Sequence, residues 1–276
     1  MKKLLALVLT LMLAVTMFAG CKKGDGQAKP TAKEDVAGDF AIACELTSEE
    51  YGIAFRKGSD LTAVVNGYID DLKADGTLDK LAEKYELTLS DSAPLEEEEA
   101  VLNDLDYIKE NGKLIIGITD YEPMNYKNDK GEWTGFDTEF ALAVCEKLGV
   151  EAEFVEIDWD NKFVALESKT IDCIWNGMTI SDEVLKNTSC SVAYVKNAQV
   201  VVMSAENAKK YKDAKDMKDL TFAVESGSAG ATAAKDSGFE NVVEANTQTD
   251  AYLEVTSGSC DACIIDLTMA NAMLKK

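Results

Sequence analysis

The sequence of 276 residues contains no histidine and a single arginine, Arg56. Without histidine, the chain lacks the side chain that most often acts as a general base or metal ligand near neutral pH, which argues against catalytic and metal-binding functions. Its 28 Lys and Arg residues are outnumbered by 50 Asp and Glu residues, which gives a formal net charge of −22. This balance argues against nucleic acid as a partner, because phosphate binding requires a basic surface.

Cysteine is present, but its spacing does not indicate metal or redox chemistry. The pair Cys260-x-x-Cys263 has no second CxxC pair and no histidine to complete a metal site. The other cysteines beyond the N-terminal segment lie in apolar strand and helix patterns. We therefore expect buried structural thiols, no metal site, no cofactor and no catalytic residues.

The N-terminus has the features of a secretory signal. Two lysines precede an apolar run over residues 4–18, and Ala-Gly leads into Cys21. Such a run is too short for a typical membrane span. A cysteine in this position resembles the lipobox of bacterial lipoproteins, whose cysteine carries the lipid; the alternative is an ordinary signal with a chance cysteine. We expect a signal peptide at 1–20, a tether at 21–38 and a lipid-anchored location on the extracytoplasmic face of the cell membrane.

Beyond this segment, helical and strand patterns alternate along the chain. Residues 61–72 and 136–148 have helical periodicity, whereas residues 113–118 form a continuous apolar run typical of a strand buried on both faces. Residues 90–100 are acidic and aperiodic, which is typical of a linker. The sequence therefore predicts an α/β chain with mostly parallel sheets.

Two segments resemble parts of one known protein family, in reversed order. Residues 50–87 (EYGIAFRKGSDLTAVVNGYIDDLKADGTLDKLAEKYEL) resemble the last segment of extracellular solute-binding proteins of the polar amino-acid ABC transporter type, family 3. Residues 106–276, which open on DYIKENGKLIIGI, resemble the beginning and middle of the same proteins. The resemblance implies a circularly permuted chain, which we expect to be a monomer. The alternative is a domain-swapped dimer that exchanges residues 51–87, and solution mass distinguishes the two.

The resemblance also implies a two-lobed α/β fold of the type II periplasmic-binding-protein class, with the ligand bound between the lobes. Two strands would join the lobes. Carried onto this sequence, the segments are the last strand of lobe II with a hinge (39–49), the second half of lobe I in family order (50–89), the permutation linker (90–105), the first half of lobe I (106–196) and lobe II (197–276).

The expected ligand site lies beyond the carboxyl ends of the strands. Asp120 and Tyr121 follow the strand at 113–118, and Trp159 lies between two acidic residues after the next strand. The resemblance implies that these residues supply an acid and two aromatic walls. The alternatives are a surface turn at Asp120 and a core position for Trp159.

The stretch WNGMTISDE is similar to the family motif NGxTxTxER. The resemblance implies that Asn176, Gly177, Thr179 and Ser181 bind the ligand. Glycine allows the backbone to approach closely, and threonine offers both an amide and a hydroxyl group.

Lobe II contributes three further candidates. Glu225 and Ser228 lie where a strand leads into a helix whose free amides suit an anion. Asp266 follows the strand at 261–265 and matches the acid that binds the ligand's α-ammonium group in the family. For Asp266 the alternative is a helix N-cap.

The chain departs from the family at the residue that binds the ligand's carboxylate. The family's arginine falls at Val184, and Lys186 cannot replace it because residues i and i+2 lie on different faces of a helix. Arg56 matches a surface position in the family.

The predicted acids near the cleft would repel an anion and attract a cation. We therefore expect acidic amino acids such as glutamate to bind poorly. Solutes with extra positive charge, or an amine without a free carboxylate, should bind better.

The leading interpretation is a membrane-anchored receptor that delivers a small polar amine or amino acid to an ABC permease by closing two lobes around it. One alternative is a sensory or non-transporting binding lipoprotein, which a neighbouring permease gene would distinguish. Another is a dehydratase on the same fold. We expect no enzymatic activity, because acids without an evident nucleophile or base pair give catalysis little support.

Overall fold

The computed structural model of the protein describes residues 39–93, 95 and 99–275. The predicted signal peptide and tether, including Cys21, lie outside these residues. Within the described part of the chain, no helix combines the length and the apolar character needed to cross a membrane.

The described residues form eleven strands and ten α-helices. The strands are β1 (Phe40–Arg56), β2 (Lys113–Ile118), β3 (Tyr126–Lys127), β4 (Trp133–Thr134), β5 (Glu151–Glu156), β6 (Cys173–Thr179), β7 (Thr188–Cys190), β8 (Val195–Ser204), β9 (Phe222–Glu225), β10 (Val242–Ala245) and β11 (Ala262–Asp266). The helices are α1 (Leu61–Ala74), α2 (Thr77–Tyr85), α3 (Asp104–Asn111), α4 (Phe136–Leu148), α5 (Lys162–Glu167), α6 (Asp182–Asn187), α7 (Ala205–Lys210), α8 (Ala229–Asp236), α9 (Gln248–Thr256) and α10 (Leu267–Met273).

One mixed sheet extends through the molecule in the order β10-β9-β11-β8-β1-β6-β2-β5, and β7 also pairs with β1. The outer pairs β9–β10, β9–β11, β2–β5 and β2–β6 are parallel. The central pairs that involve β1 and β8 are antiparallel. The predicted α/β class is therefore confirmed, whereas the expectation of mostly parallel sheets holds only for the two sides of the sheet.

Strand β1 differs most from its prediction. We expected a short strand near 40–44 followed by a hinge, and the structure has one strand of 17 residues. Its first part pairs with β8 as far as Tyr51, and its last part pairs with β6 and β7. β1 is one continuous strand because its hydrogen-bonding partner changes from β8 to β6 and β7 without a break in the strand. β1 and β8 thus join the two lobes.

Each lobe has an apolar core beside its part of the sheet. In lobe I, Phe140 packs edge-to-face on Trp175 with ring centroids 4.9 Å apart. In lobe II, Phe222 stacks on Phe239 at 4.0 Å. The six cysteines among the described residues are unpaired, and all of them except Cys44 are buried, as expected for structural thiols.

The predicted linker at 90–105 is shorter in the structure, because α3 begins at Asp104. The backbone N–H groups of Val101 and Leu102 donate to Gly58 O at 2.8 and 2.9 Å. The C-terminal end of the linker is therefore held against the turn between β1 and α1.

Arg56 is not at the surface, which corrects the expectation from the family. Its side chain is only 5% exposed, and its Nε and Nη2 atoms lie 3.0 and 3.1 Å from carboxylate oxygens of Asp104 and Asp172. Nη1 donates to Ile171 O at 2.9 Å. The single arginine thus joins the end of β1 to two segments that follow the linker.

Replacing this arginine should strongly destabilise the protein. In Arg56→Met, two buried carboxylates lose their cation, and breaking a buried pair in this way costs about 3–5 kcal/mol. Urea unfolding followed by circular dichroism measures the loss. The control Lys113→Met breaks the exposed pair with Glu153 and should have a much smaller effect, because solvent screens an exposed ion pair. Equal losses in the two variants would contradict the structural role of Arg56.

Candidate functional site

A cavity of about 440 Å³ lies between the two lobes. Lobe I contributes the end of β6 and the start of α6, lobe II contributes the β9–α8 turn, and β1 contributes residues 47–49. This is the usual place for a ligand in an α/β fold, beyond the ends of the strands. All but two of the predicted ligand-binding residues line the cavity. Those that do are Trp159, Asn176, Gly177, Thr179, Ser181, Glu225, Ser228 and Asp266.

The two exceptions, Asp120 and Tyr121, lie outside the cavity lining. Asp120 is exposed, and Thr249 Oγ1 donates to its backbone oxygen at 3.4 Å. The buried hydroxyl of Tyr121 is hydrogen-bonded to Tyr51 at 2.6 Å and to Thr268 at 2.5 Å. Both residues therefore contribute contacts between the lobes.

Gly177 lies at a point of close approach within lobe I. Its φ is +55°, and a Cβ atom there would lie 2.6 Å from the ring of Tyr121. Its N–H donates to Asp137 Oδ2 at 2.6 Å, and Tyr194 OH donates to the same oxygen at 2.9 Å. Burial raises the pKa of Asp137 to about 7. Packing thus requires glycine here, whatever its part in binding.

The polar side chains of β6 are held by protein contacts. Asn176 Oδ1 accepts hydrogen bonds from the backbone N–H and the hydroxyl group of Thr119, at 3.0 and 2.7 Å. Thr179 Oγ1 donates to Glu49 Oε1 at 2.9 Å. These contacts fix the end of β6 at the cavity and connect it to β1.

Helix α6 presents an apolar residue, Val184, at the position where we expected the family's arginine to fall. Ser181 caps the helix, because its Oγ accepts a hydrogen bond from Val184 N–H at 3.2 Å. Val184 is 4% exposed and lines the cavity. Lys186 is exposed and does not line the cavity, as expected from its position two residues later.

Trp159 brings an aromatic ring to the cavity, and Lys162 follows it. Trp159 lies in a 3₁₀ turn and is 7% exposed. Lys162 is 6% exposed, and its ammonium nitrogen lies 5.2 Å from the Trp159 ring centroid. Burial lowers the pKa of Lys162 despite the acids near it. A buried cation thus stands beside an aromatic wall.

Lobe II contributes an acid and a helix cap. Ser228 Oγ accepts from Ala231 N–H at 3.1 Å at the start of α8. Glu225 ends β9, is 3% exposed, and its Oε1 atom has no hydrogen-bond partner among the described residues. Burial, together with the nearby Asp266, raises the pKa of Glu225 to about 8.

Strand register brings the carboxyl groups of Glu49 and Asp266 together. Glu49 of β1 lies opposite Asn197 of β8, and Asp266 of β11 lies opposite Gln199 of β8. Both amide side chains donate to Glu49 Oε1, at 2.7 and 2.8 Å, and both also donate to Asp266 Oδ1. Gln248 donates to Asp266 Oδ2. Burial, with the nearby Glu49 carboxylate, raises the pKa of Asp266 to about 8.

The lobes touch each other beside the cavity. Lys162 Nζ of lobe I donates to Gly227 O of lobe II at 2.8 Å. Gly227 has a φ of +67°, and a Cβ atom there would lie 2.7 Å from Asp160 Oδ1. A side chain at position 227 would therefore separate the lobes at this point.

Sequence reasoning missed Glu49, Lys162 and the amide side chains that hold Asp266. Glu49 belongs to an acidic stretch, SEE, that gives no sign of which residue points into a cavity. Lys162 offered a weak signal, since it is a lone cation followed by the apolar residues Phe163 and Val164. The amides become recognisable only through strand register.

Chemically, the cavity combines two buried carboxyl groups, Glu225 and Asp266, and the half-buried carboxyl group of Glu49 with the ammonium group of Lys162. Glu49, Glu225 and Asp266 can accept hydrogen bonds from a cation, and Lys162 can donate to an anion. Such an arrangement suits a small solute that carries positive charge.

The comparisons with known proteins agree on one protein family. The sequence model for bacterial extracellular solute-binding proteins, family 3, matches residues 114–254, just over half of the chain. The L-cystine-binding protein TcyJ of Escherichia coli (strain K12) is 33% identical over 178 residues, which are 62% of this chain and 65% of that protein. The arginine-binding extracellular protein ArtP of Bacillus subtilis (strain 168) is 32% identical over 168 residues, 59% of this chain and 64% of that protein.

A solved structure also resembles the chain. The ancestral amino acid-binding protein AncCDT-1, described as a precursor of cyclohexadienyl dehydratase, superposes with a TM-score of 0.60 at 33% identity. The match covers 63% of this chain and 78% of that one. The two relatives above are each covered over slightly less than two thirds of their length.

The raised pKa of Glu225 predicts an effect of pH on stability. Since its pKa is about 8 in the folded protein and 4.5 ordinarily, its contribution to stability is present below about pH 4.5 and is lost as the pH rises towards 8. Glu225→Gln should therefore be more stable than wild type at pH 9, by roughly 1–3 kcal/mol, with a much smaller difference at pH 5. Urea unfolding at both pH values measures this.

The matched control is Glu146→Gln, which removes one exposed carboxylate of α4. Its effect on the free energy of unfolding should be small and nearly the same at pH 5 and pH 9. A pH-independent effect of Glu225→Gln would show that Glu225 is not a proton-binding buried acid.

Proposed function

Because the chain belongs to the bacterial extracellular solute-binding proteins of family 3, we propose that it is the binding receptor of an ABC importer. It would bind a small polar amine or amino acid between its two lobes and deliver it to a permease. The family consists of solute-binding proteins, and we propose that this member, like the rest, is not an enzyme.

The observation that carries this proposal is the group of buried carboxyls around the cavity. Glu225 has an oxygen atom without a hydrogen-bond partner among the described residues, although it is 3% exposed. An acceptor in that state is costly unless a donor reaches it. An ammonium or guanidinium group of a ligand would supply the donor and favour the ionised form of Glu225.

The acidic pair at the hinge would orient the amino group of the ligand. Asp266 and Glu49 share the amide donors of Asn197 and Gln199, so their carboxyl groups are fixed relative to each other. A cation that contacts the pair would reduce the repulsion between the two acids. It would also favour the ionised form of Asp266, whose pKa is raised by burial.

Closure would use the two strands that join the lobes. Residues 47–49 of β1 line the cavity, so a bend of this strand changes the cavity directly. The contacts of Lys162 with Gly227 and of Tyr121 with Thr268 are made between the lobes. We propose that these contacts stabilise the closed form around the ligand.

We further propose that the chain is a circular permutant of its family. The first strand in the sequence, β1, is central in the sheet, between β8 and β6. The alignment with TcyJ stops at 62% of this chain and 65% of that protein, which suits a change in segment order. Sedimentation of the purified protein at twice the mass of one chain would instead favour exchange of residues 51–87 between two chains.

A panel of solutes tests the binding function. The buried acids should favour cations, so arginine or lysine should bind at least about tenfold more tightly than glutamate in calorimetric titration. Asp266→Asn should weaken the best ligand by more than about tenfold, because it removes the charge that the amino group contacts. Its melting temperature should stay close to that of wild type.

The control for Asp266→Asn is Asp219→Asn, which removes an exposed carboxylate and should leave affinity unchanged. Val184→Arg should raise the affinity for zwitterionic amino acids such as glutamine if α6 has the family's orientation. Tight binding of glutamate by the wild type would contradict the proposed preference for cations.

Membrane attachment through Cys21 is also a proposal, supported by the lipobox resemblance. Full-length protein expressed in a bacterium should partition almost entirely into the detergent phase of a Triton X-114 extract, and Cys21→Ser should move it to the aqueous phase. Cys44→Ser serves as the control and should partition like wild type. Detergent partition of Cys21→Ser would refute lipidation at this cysteine.

A further inference from the structure

Lys162 is a buried cation in the wall of the cavity, and the sequence analysis did not single it out. We propose that its ammonium group binds the carboxylate of an α-amino acid, the task that an arginine performs in the family. The ligand would then be an amino acid and not a simple amine. This inference rests on the proposed function and makes its ligand class narrower.

The hydrogen bonds of Lys162 leave one donor for a ligand. Its Nζ donates to Trp159 O at 3.2 Å and to Gly227 O at 2.8 Å. An ammonium group carries three N–H donors, so two carbonyl oxygens leave the third unused. Because Lys162 lines the cavity, this third donor can reach a group bound there.

The charge of Lys162 also lacks a direct counter-ion. Among the ion pairs found in the described part of the chain, none includes Lys162. Asp160, Glu183 and Glu225 lie near enough to favour its charged form, but burial outweighs them. A buried ammonium whose partners are two neutral carbonyl groups and aromatic rings is costly, and a ligand carboxylate would offset that cost.

The location of Lys162 fits the missing arginine. Val184 and Trp159 belong to the same buried apolar cluster and line the same cavity. Lys162 Nζ lies 5.2 Å from the centre of the Trp159 ring. Lys162, Trp159 and Val184 therefore line the same cavity, and Val184 is the position where the resemblance places the family's arginine. A cation supplied from α5 can replace one supplied from α6.

A closing contact is the competing explanation for Lys162, since its bond to Gly227 joins the lobes. The two roles differ in their dependence on the ligand. A closing contact stabilises any ligand that the lobes enclose. A carboxylate-binding residue distinguishes an amino acid from the amine that remains when its carboxylate is removed.

Matched ligand pairs separate these roles. Calorimetry should compare arginine with agmatine and lysine with cadaverine, on wild type, Lys162→Gln and the control Lys130→Gln. In wild type, each amino acid should bind at least about tenfold more tightly than its amine. Lys162→Gln should remove most of that preference, so its loss of affinity for each amino acid should exceed its loss for the matching amine by about tenfold. Lys130→Gln removes an exposed lysine and should change neither.

A second variant and a rescue complete the test. Lys162→Met should give the same loss of preference, and it serves if the glutamine variant does not fold. Adding Val184→Arg to Lys162→Gln should restore the preference for the amino acid, because it supplies a cation from α6.

Two outcomes would overturn the inference while the proposed function stands. One is an equal loss of affinity for the amino acid and its amine in the Lys162 variants. The other is that wild type does not bind the amino acid more tightly than its amine. If none of the four solutes bound to wild type, the proposed preference for cationic solutes would fail, and the inference would fail with it.

Discussion

The antiparallel pairing of β1 with β8 is the constraint on which the rest of the structure depends. These two strands pass through both lobes, and the register places Glu49 opposite Asn197 at the crossing. Side chains alternate along a strand, so a shift by one residue would turn Glu49 away from the cavity. The same register lets Gln199 hold Asp266 from the neighbouring strand. One hydrogen-bond ladder thus connects the lobes and also assembles the acidic part of the cavity.

Burial gives these polar groups their chemical character. The carboxyls of Glu225 and Asp266 would ionise at low pH in water, but burial raises the pKa of each to about 8. Lys162 is affected in the opposite sense, because burial lowers the pKa of an ammonium group. Burial therefore favours the neutral forms of Glu225, Asp266 and Lys162. A ligand that brings complementary charges would return them to their ionised forms.

Because β1 comes early in the sequence but lies in the middle of the sheet, it needs contacts with distant segments, and Arg56 makes some of them. A strand near the start of the sequence must find its place between β8 and β6, which are both far away in sequence. Arg56 joins the end of that strand to Asp104 and Asp172, on the other side of the linker. The linker itself is bound through Leu102 to Gly58. The end of β1 is thus held to the segments after the linker by specific side-chain and backbone contacts as well as by the linker.

The α/β class, helices such as α4 and eight of the residues that line the cavity could be predicted from the sequence, because periodicity and a motif are local properties. The sequence did not show that β1 is one continuous strand or that Arg56 is buried. It also did not show that the hydroxyl of Tyr121 is hydrogen-bonded to Thr268 and lies outside the cavity lining. Lys162 likewise looked like an ordinary lysine of an amphipathic helix. Tertiary structure decided these points, because burial and strand register depend on residues that are distant in sequence.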